Sequence, residues 1–272
     1  MVIDGRKITE EIKEELKSDV KKHRGRLCLS IFKSDHTLAG QKFVNIKKKF
    51  AQDIGISFSE HEVPETADTE TLKNMIKDTS EKSNGMIVQL PLPSHFDRDE
   101  ILDSIPYCLD VDVLSKESLK KFKDGTLPIL PPVVGAIKEI LDRSGVDVRG
   151  KKVVVLGKGM LVGAPTAVWL KREGAHVEVL DSKTHNLEEK THDADIIISG
   201  VGKPHMLAPD MLRQGVVLLD AGTSEMHGEL AGDAHPSCAG KCSVFTPVPG
   251  GIGPITIAML FRNLLTLAKL NG

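Results

Sequence analysis

The chain has 272 residues, with 36 Lys and Arg against 38 Asp and Glu, 40% hydrophobic and 27% charged. This globular balance excludes disordered, collagenous and fibrous classes and leaves room for one or two domains. A formal charge of −2 and an aromatic content of 4% lack the electrostatic footprint and the stacking platforms of a protein built for phosphate backbones, so no nucleic acid is expected as partner.

No uninterrupted apolar run approaches the roughly 20 residues of a spanning helix, and the opening MVIDGRKITEEIKEEL is charged and amphipathic rather than a signal peptide. A soluble, cytoplasmic protein with no membrane partner is the expectation. Cys28, Cys108, Cys238 and Cys242 are read as reduced structural thiols. The C-x3-C pair of Cys238 and Cys242 has no second His/Cys pair to complete a zinc site, so no metal is expected.

Apolar periodicity predicts helices and short strands in alternation, which is the pattern of an α/β protein. Residues 6–23 read as a helix, 26–32 as a strand, 40–53 as a Lys-rich helix, 56–63 as a strand, 68–82 as a helix and 85–90 as a buried strand. A proline cluster from Ile129 precedes a helix ending near Arg143-Ser144-Gly145 and marks a domain junction. Then follow a strand at 151–157, a glycine turn, a helix at 164–174 and strands at 176–181, 194–200 and 215–222. These strands are apolar throughout, as burial on both faces of a parallel sheet requires. The expected organisation is two α/β domains: residues 1–130 plus 255–272, and a Rossmann-type parallel sheet over 131–254.

Between strand and helix, VVVLGKGMLVGAP carries Gly157, Gly159 and Gly163, spaced so that backbone N–H groups at a helix N-terminus can approach a pyrophosphate. The G-x-G-x-x-x-G spacing is one residue longer than the usual dinucleotide fingerprint, and the motif alone also describes a plain tight turn. Its context favours a dinucleotide, because the following strand ends in Asp181, where a carboxylate can accept hydrogen bonds from a ribose. A carboxylate repels a 2′-phosphate, which tilts the reading towards NAD, while Lys158, Ser182 and Lys183 lie close enough to supply a phosphate pocket. Asp181 can equally cap the stretch after its strand.

VQLPLP leaves Gln89 as the polar group at a strand end, and TPVPGGIGPIT forms a rigid loop whose backbone can lie against a flat ligand. Phe43 and Lys47 share a helix face; a solvated lysine face with Phe43 and Phe50 in the core is the bland alternative. Asp110 and Asp112 of DVDVLS are either site acids or turn acids.

Taken in order, IDG, the Phe43-Val44-Asn45-Ile46-Lys47 stretch, VQLPLP, DVD, GKGMLVGAP, SKT, ADIIISGVGKP, LAGD and TPVPGGIGPIT resemble the FolD family of methylenetetrahydrofolate dehydrogenase/cyclohydrolases over essentially the whole chain. The resemblance implies a tetrahydrofolate derivative bound in a cleft between two domains, NADP or NAD as cofactor (NADP by family default), and a homodimer through the nucleotide domain. It assigns catalysis to Lys47, Gln89 and Asp112, substrate contacts to Phe43, Leu90, Pro91, Pro249, Gly250 and Gly251, and cofactor contacts to Gly157, Lys158, Gly159, Val162, Gly163, Asp181, Ser182, Lys183, Gly202 and Thr223. A catalytic lysine needs its ammonium pKa brought down by burial or a neighbouring cation, for which Lys48 is a candidate, or must polarise the substrate through a charged hydrogen bond.

The sequence departs from the family pattern around this site. Phe43 stands for a tyrosine, PPVVGA at 131–136 for P-C-T-P-x-G, Gly40 for a serine, Gly159 for a frequent serine and Asp181 for a frequent histidine. Phe43 keeps an aromatic face but loses a hydroxyl near Lys47. Three outcomes follow: a bifunctional enzyme, a dehydrogenase with weak or absent cyclohydrolase activity caused by Phe43, or a non-catalytic folate- or nucleotide-binding relative.

Overall fold

A computed structural model describes residues 1–23, 25–34, 38–226 and 228–271. Helix α1 (Gly5–Lys22) buries Gly5, Thr9, Ile12 and Leu16, one side of a 3.6-residue period. After it come β1 (Cys28–Lys33), α2 (Leu38–Ile54), β2 (Ser57–Glu62), α3 (Thr69–Ser80) and β3 (Gly85–Val88), and then the short helices α4 (Arg98–Asp103) and α5 (Lys116–Lys123). Asp68, Asp97 and Ser115 cap α3, α4 and α5 through side-chain oxygens that accept from backbone N–H groups.

Next are α6 (Pro132–Arg143), β4 (Lys152–Leu156), α7 (Gly163–Arg172), β5 (His176–Leu180), α8 (Leu187–His192), β6 (Ile196–Ser199) and β7 (Val216–Asp220). A hairpin of β8 (Ser224–Met226) and β9 (Glu229–Ala231), strand β10 (Cys242–Phe245) and helix α9 (Ile252–Asn271) complete the chain. The helices and strands of the sequence reading are found within a few residues of their expected bounds. The sheet of the C-terminal half gains a fifth strand, β10, and α4, α5, α8 and the hairpin are additional elements.

The chain divides into two units. The first comprises residues 10–132 and 257–272, the second residues 1–9 and 133–256. Residues 1–9, expected with the rest of the N-terminal half, thus group with the second unit. The reason is a set of backbone bonds: Ile3 N–H donates to Phe245 O at 2.8 Å, Phe245 N–H to Met1 O at 2.9 Å and Gly5 N–H to Gly250 O at 2.8 Å.

In the first unit the strands form a parallel sheet in the order β2-β1-β3. Central β1 and its neighbour β3 are mostly apolar and buried, whereas β2, SFSEHE, is polar except for Phe58 and half-exposed along its length. Phe50 of α2 stacks on Phe261 of α9 at 4.9 Å between ring centroids. Helix α9 is long and apolar enough to cross a membrane by length and composition alone, although Arg262, Asn263 and Lys269 interrupt its apolar residues. Its Ile255, Phe261 and Leu264 are fully buried, so its apolar composition is that of a core helix.

In the second unit the order is β10-β7-β6-β4-β5, all parallel. Succession runs one way from β4 to β5 and the other way from β6 to β7 and β10. The topological switch point, where open α/β sheets take their ligands, therefore lies between the C-terminal ends of β4 and β6.

The glycine of IDG has a packing explanation. A Cβ on Gly5 would sit 1.8 Å from Gly251 O and 2.7 Å from Gly250 O. Because these are backbone atoms, Gly5→Ala is expected to destabilise by at least about 2 kcal/mol and to lower the thermal midpoint by about 5 °C or more. Differential scanning calorimetry checks this; an unchanged midpoint contradicts it.

Candidate functional site

Lys47 lies on α2, one turn after Phe43, and the chain turns out of β3 at Gln89. The Gln89 N–H donates to Phe32 O at 2.9 Å, continuing the β3–β1 pairing by one residue, and its carboxamide Nε2 donates to Leu90 O at 2.9 Å. That leaves Oε1 free to accept from Lys47 Nζ at 2.8 Å. Gln89 is buried, with 9% of its surface exposed. The peptide bond between Leu90 and Pro91 is cis.

Asp112 completes the group. Burial lowers the pKa of the Lys47 ammonium, and the Asp112 carboxylate opposes that shift. The Asp112 carboxyl is pushed up to about 6, by burial first, against the pull of Lys47 and with a further push from Asp110. A folded-state pKa above the unfolded value means that Asp112 holds its proton more tightly when folded, so its contribution to stability is lost as pH rises from 3.8 through about 6.

The turn that presents Asp112 is clamped on several sides. Asp110 Oδ2 accepts the N–H groups of Leu114 at 3.0 Å and Ser115 at 2.8 Å, and Asn263 Nδ2 of α9 donates to Val111 O at 2.9 Å. Val113, fully buried, has φ +59°, a left-handed conformation that costs a β-branched residue about 1–3 kcal/mol. Asp110 is thus the turn acid of the pair, while Asp112 lies near Lys47.

Lys48, the candidate neighbouring cation, pairs instead with Glu60 of β2 at 3.5 Å, so burial and not a second cation depresses Lys47. Phe43 is half exposed, at 50%, which excludes the core placement and leaves its ring available to a ligand. Sequence reasoning overlooked Lys33, a buried lysine at the end of β1 that donates to Gln41 of α2 and lies 3.4 Å from Glu62. A charged residue closing an otherwise apolar strand was the available signal.

In the second unit the glycine turn after β4 divides its labour. Gly157 has φ +96° and its Cβ would lie 2.9 Å from Gly200 O, while a Cβ on Gly163 would lie 2.0 Å from Gly157 O, so this glycine lets α7 pack on the turn. At Gly159 nothing lies within 4 Å of the Cβ position, which leaves its backbone open to an approaching group. Val162 packs its side chain against Gly200, where a Cβ would meet it at 2.4 Å. Gly202, at φ +72°, lies beside Thr223, whose carbonyl oxygen would be 3.6 Å from a Cβ there.

Asp181 has several partners. Lys158 Nζ approaches Oδ2 at 2.6 Å, and Oδ1 accepts from Lys183 N–H at 3.0 Å. These contacts, the Lys158 bond first, hold its carboxyl below the usual carboxylate range. Asp181 therefore caps the turn after its strand, and it draws Lys158 to itself. Ser182 and Lys183 are exposed. Pro249, Gly250 and Gly251 belong to the second unit, where Gly251 N–H donates to Pro247 O at 2.8 Å. Among the described residues no cluster of three or more His, Cys, Asp or Glu side chains is placed to hold a metal ion.

If the Lys47 cation restrains Asp112, then Lys47→Met removes the restraint and the Asp112 carboxyl titrates above its value of about 6. Carboxyl-carbon NMR across pH 4–8 reads this directly, and an unchanged or lower midpoint contradicts it.

Residues 3–112 match the tetrahydrofolate dehydrogenase/cyclohydrolase catalytic domain, and residues 131–272 match the NAD(P)-binding domain of the same family. Bifunctional protein FolD of Lachnoclostridium phytofermentans is 37% identical over 276 residues, covering 99% of this chain and 98% of that protein. The crystal structure of the bifunctional FolD enzyme from Campylobacter jejuni superposes with a TM-score of 0.96 at 33% identity, over 100% of this chain and 99% of that one. The Trypanosoma brucei enzyme, solved with an NADP cofactor and an inhibitor, gives 0.94 at 31% identity over 100% and 98%. By sequence along its whole length and by fold in both units, this chain belongs to the tetrahydrofolate dehydrogenase/cyclohydrolase, or FolD, family.

Proposed function

We infer that this chain oxidises 5,10-methylenetetrahydrofolate to the 5,10-methenyl cation with a nicotinamide dinucleotide, and hydrolyses that cation to 10-formyltetrahydrofolate. The observation that carries this reading is the Lys47–Gln89 hydrogen bond beside Asp112. These are the three residues that the family resemblance assigns to the hydrolytic step, and they come together in one unit.

The residues of the second unit fit a dinucleotide. The open backbone at Gly159, ahead of α7, leaves room for a pyrophosphate beside the helix start, and Asp181, Ser182 and Lys183 stand at the end of β5 where an adenosine ribose is read. When bound, the nicotinamide accepts the hydride that leaves the methylene bridge. The rest of the chemistry belongs to side chains of the first unit. Phe43 supplies a face for stacking, Leu90 and Pro91 follow Gln89 directly in the chain, and the family resemblance assigns further folate contacts to Pro249, Gly250 and Gly251.

In hydrolysis a water oxygen bonds to the bridge carbon and gives up a proton as it does so. Lys47, its proton affinity reduced by burial, takes that proton in its amine form. The bond from the bridge carbon to N5 then breaks, N5 gains a proton, and the carbon leaves as the N10 formyl group, with one proton released overall. Gln89 fixes the Lys47 Nζ through Oε1. The Asp112 carboxylate balances the positive charge of the methenyl carbon and the lysine.

We assign NAD as the preferred dinucleotide. Asp181 is held in its ionised form and is paired with Lys158, so one of the two cations that would attract a 2′-phosphate is already neutralised, leaving Lys183, and the carboxylate repels such a phosphate. The enzyme acts as a homodimer through the second unit, whose edge strand β5 exposes His176 and Glu178. Its free thiols suit a reducing compartment, the cytoplasm.

The test is spectrophotometric: reduced dinucleotide formation with methylenetetrahydrofolate and NAD or NADP, followed by decay of the methenyl absorbance. Absence of both signals overturns the reading. Asp181→Ser is expected to shift the NADP/NAD ratio of kcat/KM upward by about tenfold or more, since it removes a repulsive carboxylate and releases Lys158; a ratio that stays put contradicts the NAD assignment. Because Gln89 already holds Lys47, Phe43→Tyr should change methenyl hydrolysis by less than about threefold. A tenfold rise would instead favour the weak-cyclohydrolase alternative.

A further inference from the structure

Asp233 follows β9 and is fully buried. Its carboxylate accepts three hydrogen bonds from a segment distant in sequence. Oδ2 takes the Ser199 hydroxyl at 2.6 Å and the Val201 N–H at 2.7 Å, and Oδ1 takes the Lys203 N–H at 2.7 Å. The loop from Gly200 to Lys203 is thus wrapped around a single side chain. Two outer ties complete it: Gly200 N–H donates to Leu156 O at 3.0 Å, and Ser224 Oγ donates to Gly202 O at 2.7 Å.

This loop leaves the C-terminal end of β6 and is one wall of the switch-point crevice. The glycine turn after β4 is the other wall, packed on it through Val162 and Gly200. Asp233 has no room to withdraw, because a Cβ on Gly222 would lie 2.2 Å from its carboxyl carbon. A rigid, buried carboxylate therefore fixes two alternate amides at the mouth of the crevice from behind.

We propose that Asp233 is a positioning residue for the dinucleotide, setting the Val201–Lys203 backbone against the bound cofactor without touching it; this rests on the dinucleotide reading above. The chemistry of the replacement makes the idea testable. A carboxylate offers acceptors on both sides, whereas a carboxamide turns an N–H2 group towards either the Val201 amide or the Lys203 amide, donor against donor. One side of the loop must then move away.

The experiment is Asp233→Asn in the full chain, with NADH and NADPH titrated by fluorescence and with KM measured for dinucleotide and folate separately. The dinucleotide Kd and KM are expected to rise by about tenfold or more, while the KM for methylenetetrahydrofolate stays within about threefold. Methenyl hydrolysis, whose proposed catalytic residues Lys47, Gln89 and Asp112 lie in the first unit, should persist and reports an intact fold. Ser199→Ala removes one donor but no loop amide, and should weaken dinucleotide binding by no more than about threefold. An unchanged dinucleotide Kd in Asp233→Asn overturns the proposal. So does a parallel loss of hydrolysis and dinucleotide binding, which makes Asp233 a core residue only, and so does an effect of Ser199→Ala as large as that of Asp233→Asn. If wild-type protein binds neither dinucleotide, the cofactor reading itself fails, and that is seen before any variant is made.

Discussion

A lysine ammonium partly withdrawn from water is unfavourable unless something answers its charge, and the first unit is organised around that constraint. Lys47 has one amide oxygen in contact and one carboxylate nearby, and neither fully compensates for the lost hydration. The result is an ammonium whose proton is held less tightly than that of an exposed lysine. The surrounding polar ties serve to keep this arrangement from relaxing. Gln89 is locked by the Leu90 carbonyl, Asp112 rides on a turn that Asp110 and Asn263 hold, and the strain at Val113 persists because its neighbours over-determine it.

The second unit solves a different problem, that of bringing backbone close to other backbone and to the Val162 side chain. Gly157, Gly163 and Gly200 each stand where a Cβ would meet another atom at 2.9 Å or less. The glycines of the turn are therefore not equivalent. Two are required by packing, and Gly159, with open space beside it, is the one whose bareness faces outward.

Much of this was legible in the sequence, and the reason differs by feature. Buried parallel strands such as VVVL of β4 and IIIS of β6 announce themselves as apolar runs, and the glycine turn sits where strand gives way to helix. Strand β10, CSVF, is short and half polar and owes its place to pairing with β7, so local pattern could not reveal it. The same holds for polar partnerships across long separations. Lys158 meeting Asp181, Lys48 meeting Glu60 and Asp233 meeting Ser199 are consequences of topology, which no window of neighbouring residues contains. Motif matching located Lys47, Gln89 and Asp112, but the electrostatic hierarchy among them emerges only from burial.

Neither unit is continuous along the chain. The first unit needs α9, which supplies Phe261 and Leu264 to its interior, and the second needs residues 1–9. A nascent chain leaving the ribosome can therefore complete neither unit until almost all of it has been synthesised. The opening strand segment must wait for β10, and the N-terminal sheet must wait for the last helix. Maturation becomes a late, whole-chain event rather than a domain-by-domain one, and fragments cut at the boundary between the halves carry exposed apolar surface that invites chaperone binding or aggregation.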